Sequence, residues 1–217
     1  MEIYYNVVRD AEGLKAAIDE LKGHKSLGFD TETTELDPYK GDLRLLQIST
    51  GDKTQVVDLK PFRSRGDVRT MPELQPLRDL LANETVEKVA HNAKFDAKWV
   101  RHHLGCELGG IYDTYLASIL ISAGEGERRH GLADVVQFFL GRTLDKEQQV
   151  SNWAADELSS ACRSPEVSAL IAAWICASTS PRWARRCAPT RRTSARSGAA
   201  RPRPSDASGG AAASARR

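Results

Sequence analysis

Apolar side chains recur along this chain with two different spacings, and the change from one to the other marks out its elements. Ile3 to Val8 reads as a short strand. In DAEGLKAAIDELKG the apolar positions Leu14, Ile18 and Leu21 fall at helical spacing, and Gly23 supplies a stop. Period-two runs then predict strands at about Ser26–Thr31, Arg44–Thr50 and Gln55–Leu59, together an antiparallel meander. Arg63–Thr70 is polar and loop-like. The later pattern predicts a helix over Pro72–Leu81, a strand at Val86–His91 and a helix through Asp96 and Trp99. Two further helices are expected at Thr114–Ser122 and near Leu132–Leu140, on either side of a GEGERRHG segment. Strands first, then strand alternating with helix, implies an α/β fold: a mixed sheet flanked by helices.

After Ile175 the pattern stops. Residues 176–217 contain no Leu, Ile, Val, Phe, Met or Tyr, and no Lys or Glu. Such a segment cannot bury enough apolar surface to offset the entropy of ordering, so a disordered tail is expected after a domain over 1–175. The tail has two readings. It is a basic arm that holds nucleic acid by counterion release, or its Arg/Ala/Ser/Pro/Gly vocabulary is that of GC-rich codons read out of frame.

Charge sharpens this division. The formal net charge is +2, but residues 181–217 carry ten Arg against one Asp, which leaves residues 1–180 with 21 basic and 28 acidic groups. An acidic body does not announce a nucleic-acid binder, so any such function must come from a local site where cations offset the carboxylates. No apolar stretch approaches the roughly 18–20 residues that span a bilayer, and charges fall too early for a secretory leader. The four cysteines (Cys106, Cys162, Cys176 and Cys187) have no CxxC or Cys/His metal spacing and read as reduced thiols. A cytoplasmic protein without a membrane partner is the expectation.

The candidate chemistry begins in GFDTETTELDPYKGDLRLLQIS. Asp30 and Glu32 stand two apart at the end of an apolar strand, so they share a face about 6–7 Å apart along the backbone. Two carboxylates there repel, and hard oxygen donors of this kind suit Mg²⁺ or Mn²⁺. In VEKVAHNAKFDAKWV, Asn92 is placed to cap the following helix, with Asp96 one turn inside it. Phe95 and Trp99, four apart, are expected to pack inward. Asp96 beside that stripe either joins a site or pairs with Lys94 or Lys98. Asp113 opens the Thr114 helix, where a carboxylate caps backbone N–H groups. Arg128, Arg129 and His130 read as a solvated loop.

Taken in order, the strand DxE, HNxxFD at a strand-to-helix junction and then IYDTYLASIL form a pattern. It resembles the DEDD superfamily of 3′–5′ exonucleases, which includes ribonuclease D, the Werner-type exonucleases and the proofreading domains of family A DNA polymerases. The resemblance runs from about Glu2 to Trp174. It is most specific in FDTETTELDPYKGDLRLLQIS, VAHNAKFDAKWV and HGLADVVQFFLGRTLDKEQQVSNWAADELS, the last similar to ribonuclease D. The resemblance implies a ribonuclease H-like fold, with a mixed five-stranded sheet of antiparallel meander plus parallel strands. It implies that Asp30, Glu32 and Asp96 hold two divalent cations, and that the partner is the 3′ end of single-stranded DNA or RNA. It further implies that Thr33 and Leu36 touch the terminal nucleotide and that Asn92 meets the sugar-phosphate. His91, beside Asn92, is a substrate contact or a structural histidine.

One motif departs from the family pattern. The family places a Tyr or His shortly before a fourth metal-binding Asp on a late helix. No tyrosine follows Tyr115 here, and Glu166-Val167 stands near where Asp-Val is expected. Glu166 is therefore the remaining candidate for the fourth ligand. Two functions follow: a metal-dependent exonuclease with an altered last helix, or a nucleic-acid-binding module that keeps the cleft without the chemistry.

Overall fold

The computed structural model describes residues 4–123, 128–143 and 155. Strand β1 (Tyr4–Val8) leads to α1 (Ala11–Leu21), and the meander β2 (Ser26–Thr33), β3 (Leu43–Ser49) and β4 (Lys53–Asp58) follows. A one-turn helix, α2 (Lys60–Arg63), and a 3₁₀ turn at Pro72–Leu74 precede α3 (Gln75–Ala82). Then come β5 (Glu87–Ala90), α4 (Lys94–Leu104), β6 (Ile111–Asp113), α5 (Thr114–Ile121) and α6 (Leu132–Leu140). The tail at 176–217, Glu166 and the last three cysteines lie outside the described residues, as does the domain boundary expected at 175.

Among the described residues the sheet has six strands, in the order β1-β4-β3-β2-β5-β6. The meander is antiparallel, while β1 runs parallel to β4 and both β5 and β6 run parallel within their edge. The five-stranded expectation missed β6, which is three residues long and pairs Lys88, Val89 and Ala90 with Ile111, Tyr112 and Asp113. Three residues are too few to display a period-two alternation. Gly110 makes this strand possible: its φ is +61°, and a Cβ there would lie 2.5 Å from the Val86 carbonyl oxygen. Only glycine combines that backbone with that approach.

The alternation in β2 decides which residues go where. Leu27, Phe29 and Thr31 face one way, with Leu46 and Ile48 of β3, and this face packs on α1, α3 and α4 through Leu14, Ile18, Leu77, Leu81, Trp99 and Leu104. Trp99 and Phe29 are both fully buried, and truncating either to Ala should cost about 3–5 kcal/mol. The opposite face carries Asp30, Glu32 and Leu45, with Gln47 directly across from Asp30. Helix ends are closed locally. Asp10 accepts the Gly13 N–H at 2.8 Å to start α1. Lys88, buried, donates to the carbonyls of Leu80 and Asn83 and so satisfies acceptors left over where α3 stops.

Candidate active site

Three acids lie near one another toward the end of β2. Asp30 and Glu32 are delivered by the strand, and a shift of register between Glu32 and Thr33 ends the regular pairing there. Such an irregularity re-aims the side chains beside it. Asp96 arrives from the first turn of α4 and is buried. It does not pair with Lys94 or Lys98. Its Oδ1 accepts the Thr31 hydroxyl at 2.6 Å, so the residue between the two strand acids holds the third. Glu32 accepts a longer hydrogen bond from the Gln47 side-chain amide, at 3.3 Å.

The electrostatics are those of uncompensated negative charge. Burial, then the charges of Glu32 and Asp96, hold the Asp30 carboxyl well above the ordinary range. Burial and Asp96 push Glu32 up to about 8. Burial raises Asp96 to about 7, against the opposing pull of the Thr31 hydroxyl. Among the described residues none of the three forms an ion pair with a lysine, arginine or histidine. Glu32 and Asp96 are close enough to raise Asp30, and Asp96 to raise Glu32, yet among the described residues no three acids, histidines or cysteines are gathered as a ready-made metal cluster. The donor set is all carboxylate oxygen, which fits a hard divalent cation rather than zinc. A cation is also what would relieve the mutual repulsion.

Asn92 does not cap α4, contrary to the sequence expectation. It is exposed, with φ +61°, and the helix begins at Lys94 with no side-chain cap from Ala93. Asp113 does that work from across the sheet edge. Its two oxygens accept the N–H groups of Asn92 and Ala93, each at 3.0 Å. The same carboxylate caps α5 through Tyr115 N–H at 2.9 Å and Leu116 N–H at 3.4 Å. One aspartate thus fixes two helix starts and the left-handed residue beside the site. The expected cap on the Thr114 helix is present, and the second helix is added to it.

The other candidates fall around this centre. His91 is half-buried, with Nδ1 2.9 Å from the Thr114 hydroxyl, which itself donates to the Ala90 carbonyl. Burial lowers its pKa, against the charge of Asp113. Thr33 donates its hydroxyl to the Glu35 carbonyl, and Leu36 is 80% exposed on the loop that follows. That loop is fastened to α4. Lys98 donates to the Leu36 carbonyl at 2.9 Å, His103 Nε2 lies 3.1 Å from the Pro38 carbonyl, and Tyr39 meets the His102 ring with centroids 4.6 Å apart. Phe95 is half-buried beside Trp99 and does pack inward. Sequence reasoning missed Thr31 and Gln47. Gln47 had a visible signal, a lone polar side chain inside the apolar run LLQI.

A family profile described as 3′–5′ exonuclease matches residues 5–164. The chain belongs to the 3′–5′ exonuclease family. It is similar to DNA polymerase I of Aquifex aeolicus, 36% identical over 158 residues that make up 72% of this chain and 24% of the relative. It is also similar to the exosome complex exonuclease RRP6 of Saccharomyces cerevisiae, 31% identical over 67% of this chain and 18% of the relative. The chain therefore spans a quarter or less of these two curated relatives. Among solved structures, Brucella melitensis NrnC with bound Mg²⁺ superposes with a TM-score of 0.56 at 25% identity, covering 80% of this chain and 74% of that one. NrnC has also been solved bound to pGG. The fold is accordingly the ribonuclease H-like α/β fold of these exonucleases. No helix among the described residues is long and apolar enough to cross a membrane.

Proposed function

We propose that this domain removes nucleotides from the 3′ end of single-stranded nucleic acid, DNA or RNA, with Asp30, Glu32 and Asp96 holding two divalent cations, Mg²⁺ or Mn²⁺. The observation that carries the reading is the trio itself: three buried acids from two elements at a strand end, with Glu32 and Asp96 raising Asp30, Asp96 raising Glu32, and no cationic side chain among the described residues paired with them. NrnC, of the same fold, was solved with Mg²⁺ and with pGG, which supports both the metal and the substrate class.

The chain's own residues divide the work. Asp30, between the other two in the electrostatic sense, is repelled by both and is the natural shared ligand. Thr31 orients Asp96, and Gln47 orients Glu32. Leu36 offers an exposed apolar surface to the terminal base, with Thr33 beside it and Asn92 facing the sugar-phosphate. His91, turned onto Thr114, supports the junction that carries Asn92. When bound, the cations polarise the phosphate and stabilise the attacking water and the departing 3′ oxygen. Glu166 is the candidate for the fourth ligand and lies outside the described residues.

Release of mononucleotides from a 5′-labelled single strand, with Mg²⁺ or Mn²⁺ against EDTA, tests this reading. Metal-dependent shortening from the 3′ end, abolished in Asp30→Ala, is expected. Equal release by the Asp30→Ala chain would sink it. A second reading rests on the sequence: no tyrosine follows Tyr115, and Glu166 stands near where the family's aspartate is expected. A domain that binds the strand and releases nothing would be a nucleic-acid-binding module. Failure of Mg²⁺ or Mn²⁺ to raise the melting temperature would remove both, since a cation bound to the folded state stabilises it by mass action.

A further inference from the structure

The turn that follows the carboxylate strand keeps two large side chains in solvent. Leu36 is 80% exposed, and Tyr39, three residues on, is 82% exposed. Exposure is unfavourable for an aromatic ring, whose large apolar surface gains most from burial. Nor is the ring left loose. Asp37 turns the backbone beneath it: its Oδ1 accepts the Tyr39 N–H at 3.0 Å, and its backbone carbonyl accepts the N–H groups of Lys40 at 3.0 Å and Gly41 at 3.1 Å. The Tyr39 ring then rests on His102 of α4, with centroids 4.6 Å apart and planes inclined by 60°. His102 is set edge-on against His103 at 4.8 Å, and His103 stacks on fully buried Trp99 at 5.1 Å and 13°. A run of rings thus leads out of the core and ends in an exposed tyrosine.

The turn is laid along the helix that bears Asp96. Lys98, two residues past Asp96, holds the Leu36 carbonyl, and His102, six past it, holds the Tyr39 ring. At 1.5 Å of rise per residue the two contacts stand about 6 Å apart along α4, with that of Tyr39 the farther from Asp96. Stacked bases follow one another at about 3.4 Å along a strand, so a strand whose last base meets Leu36 brings one of the next two bases level with Tyr39. We propose that Tyr39, steadied by His102, is a stacking platform for the second or third base from the 3′ end. An aromatic face accepts any base, and a ring already held in place loses little freedom on stacking. A base in a duplex is stacked on both sides already, so the platform makes an unpaired base at this position part of what the chain selects. This rests on the nuclease reading for the placement of the 3′ end, and it names a part of the substrate that the carboxylate site does not touch.

Equilibrium binding of 5′-fluorescent octanucleotides to the full chain in EDTA, where the strand is not shortened, tests this. Three strands are compared: one intact, one abasic at the second nucleotide from the 3′ end and one abasic at the third. Tyr39→Ser should weaken binding of the intact strand about 5–20-fold, the scale of one lost base–aromatic stack. Tyr39→Phe should bind like the parent chain, and Tyr39→Leu, apolar but without a ring, should fall near Tyr39→Ser. One of the two abasic strands should bind the parent chain and Tyr39→Ser alike, because the base that the ring would meet is gone. Equal weakening on all three strands would make Tyr39 a support of the loop alone and overturn the proposal. Unchanged binding by Tyr39→Ser, or no binding of the octanucleotide by the parent chain, would overturn it as well. Mononucleotide release in Mg²⁺ is followed in parallel. Binding that depends on Tyr39 and on the base, without release, leaves the platform standing while the catalytic reading falls. Release without that dependence leaves the catalytic reading standing while the platform falls.

Discussion

Asp113 and the trio of Asp30, Glu32 and Asp96 are four carboxylates close in space with opposite situations. Asp113 accepts four backbone N–H groups, at the positive ends of two helices, where negative charge is favoured. The trio has one hydroxyl and one amide as side-chain donors, and after burial the charges acting on Asp30 and Glu32 are those of its own members. An acid held by backbone N–H groups on both oxygens holds structure. Acids that folding has crowded together without a countercharge await a ligand. Substitutions in the two groups should therefore have opposite signatures.

The largest contrast is expected at Asp30. Asp30→Asn should reduce nuclease activity by at least about 10²–10⁴-fold, the scale of losing acid–base or metal-held water chemistry, while leaving the metal-free domain as stable as before or more so. Loss of metal-free stability in this variant would mean that Asp30 is a structural acid like Asp113. At Asp113 the order reverses. Asp113→Ala should destabilise the domain by about 1–4 kcal/mol, the sum expected for two lost caps, measured by urea unfolding in EDTA. It should also weaken Mn²⁺ binding about 10-fold or more, because it supports the start of the helix that aims Asp96. Unchanged unfolding would show that the two caps are dispensable.

The pH dependence of stability separates the groups again. The trio's folded pKa values lie above those of free carboxylates, with Glu32 at about 8 and Asp96 at about 7. Between about pH 4.5 and 8 the folded state therefore keeps protons that the unfolded chain has released, and stability falls as pH rises through this window. In EDTA the melting temperature should be higher at pH 5.5 than at pH 8, and Mg²⁺ should narrow the gap at the alkaline end. A gap of equal size in a chain carrying Asp30→Asn and Glu32→Gln would assign it elsewhere. The smallest effect is expected at Lys98. Lys98→Met loses an exposed bond to the Leu36 carbonyl and should cost less than about 0.5 kcal/mol in stability, yet raise KM for the strand by loosening the loop that presents Leu36.

Which parts of this were legible in the chain follows from how far the deciding contacts reach. The meander and α6 could be placed because strand alternation and the 3.6-residue stripe are local, and Leu132–Leu140 falls where its apolar spacing put it. The strand acids could be placed on one face for the same reason. Nothing local announced β6, because its three residues are strand only through their pairing with β5. Asn92 had the composition of a cap and a neighbour 21 residues away that did the job better. The hydroxyl of Thr31 was hidden by its position between two acids, where alternation points it to the opposite face and so toward Asp96.

The fastening of the Leu36–Tyr39 turn onto α4 has a mechanical corollary. Lys98, His102 and His103 grip the turn from the helix that also bears Asp96. Exposed Leu36 and buried Asp96 are thereby parts of a single lever. Any tilt of that lever displaces both together, so under the proposed function a misaligned 3′ terminus that pushes on Leu36 would also shift Asp96.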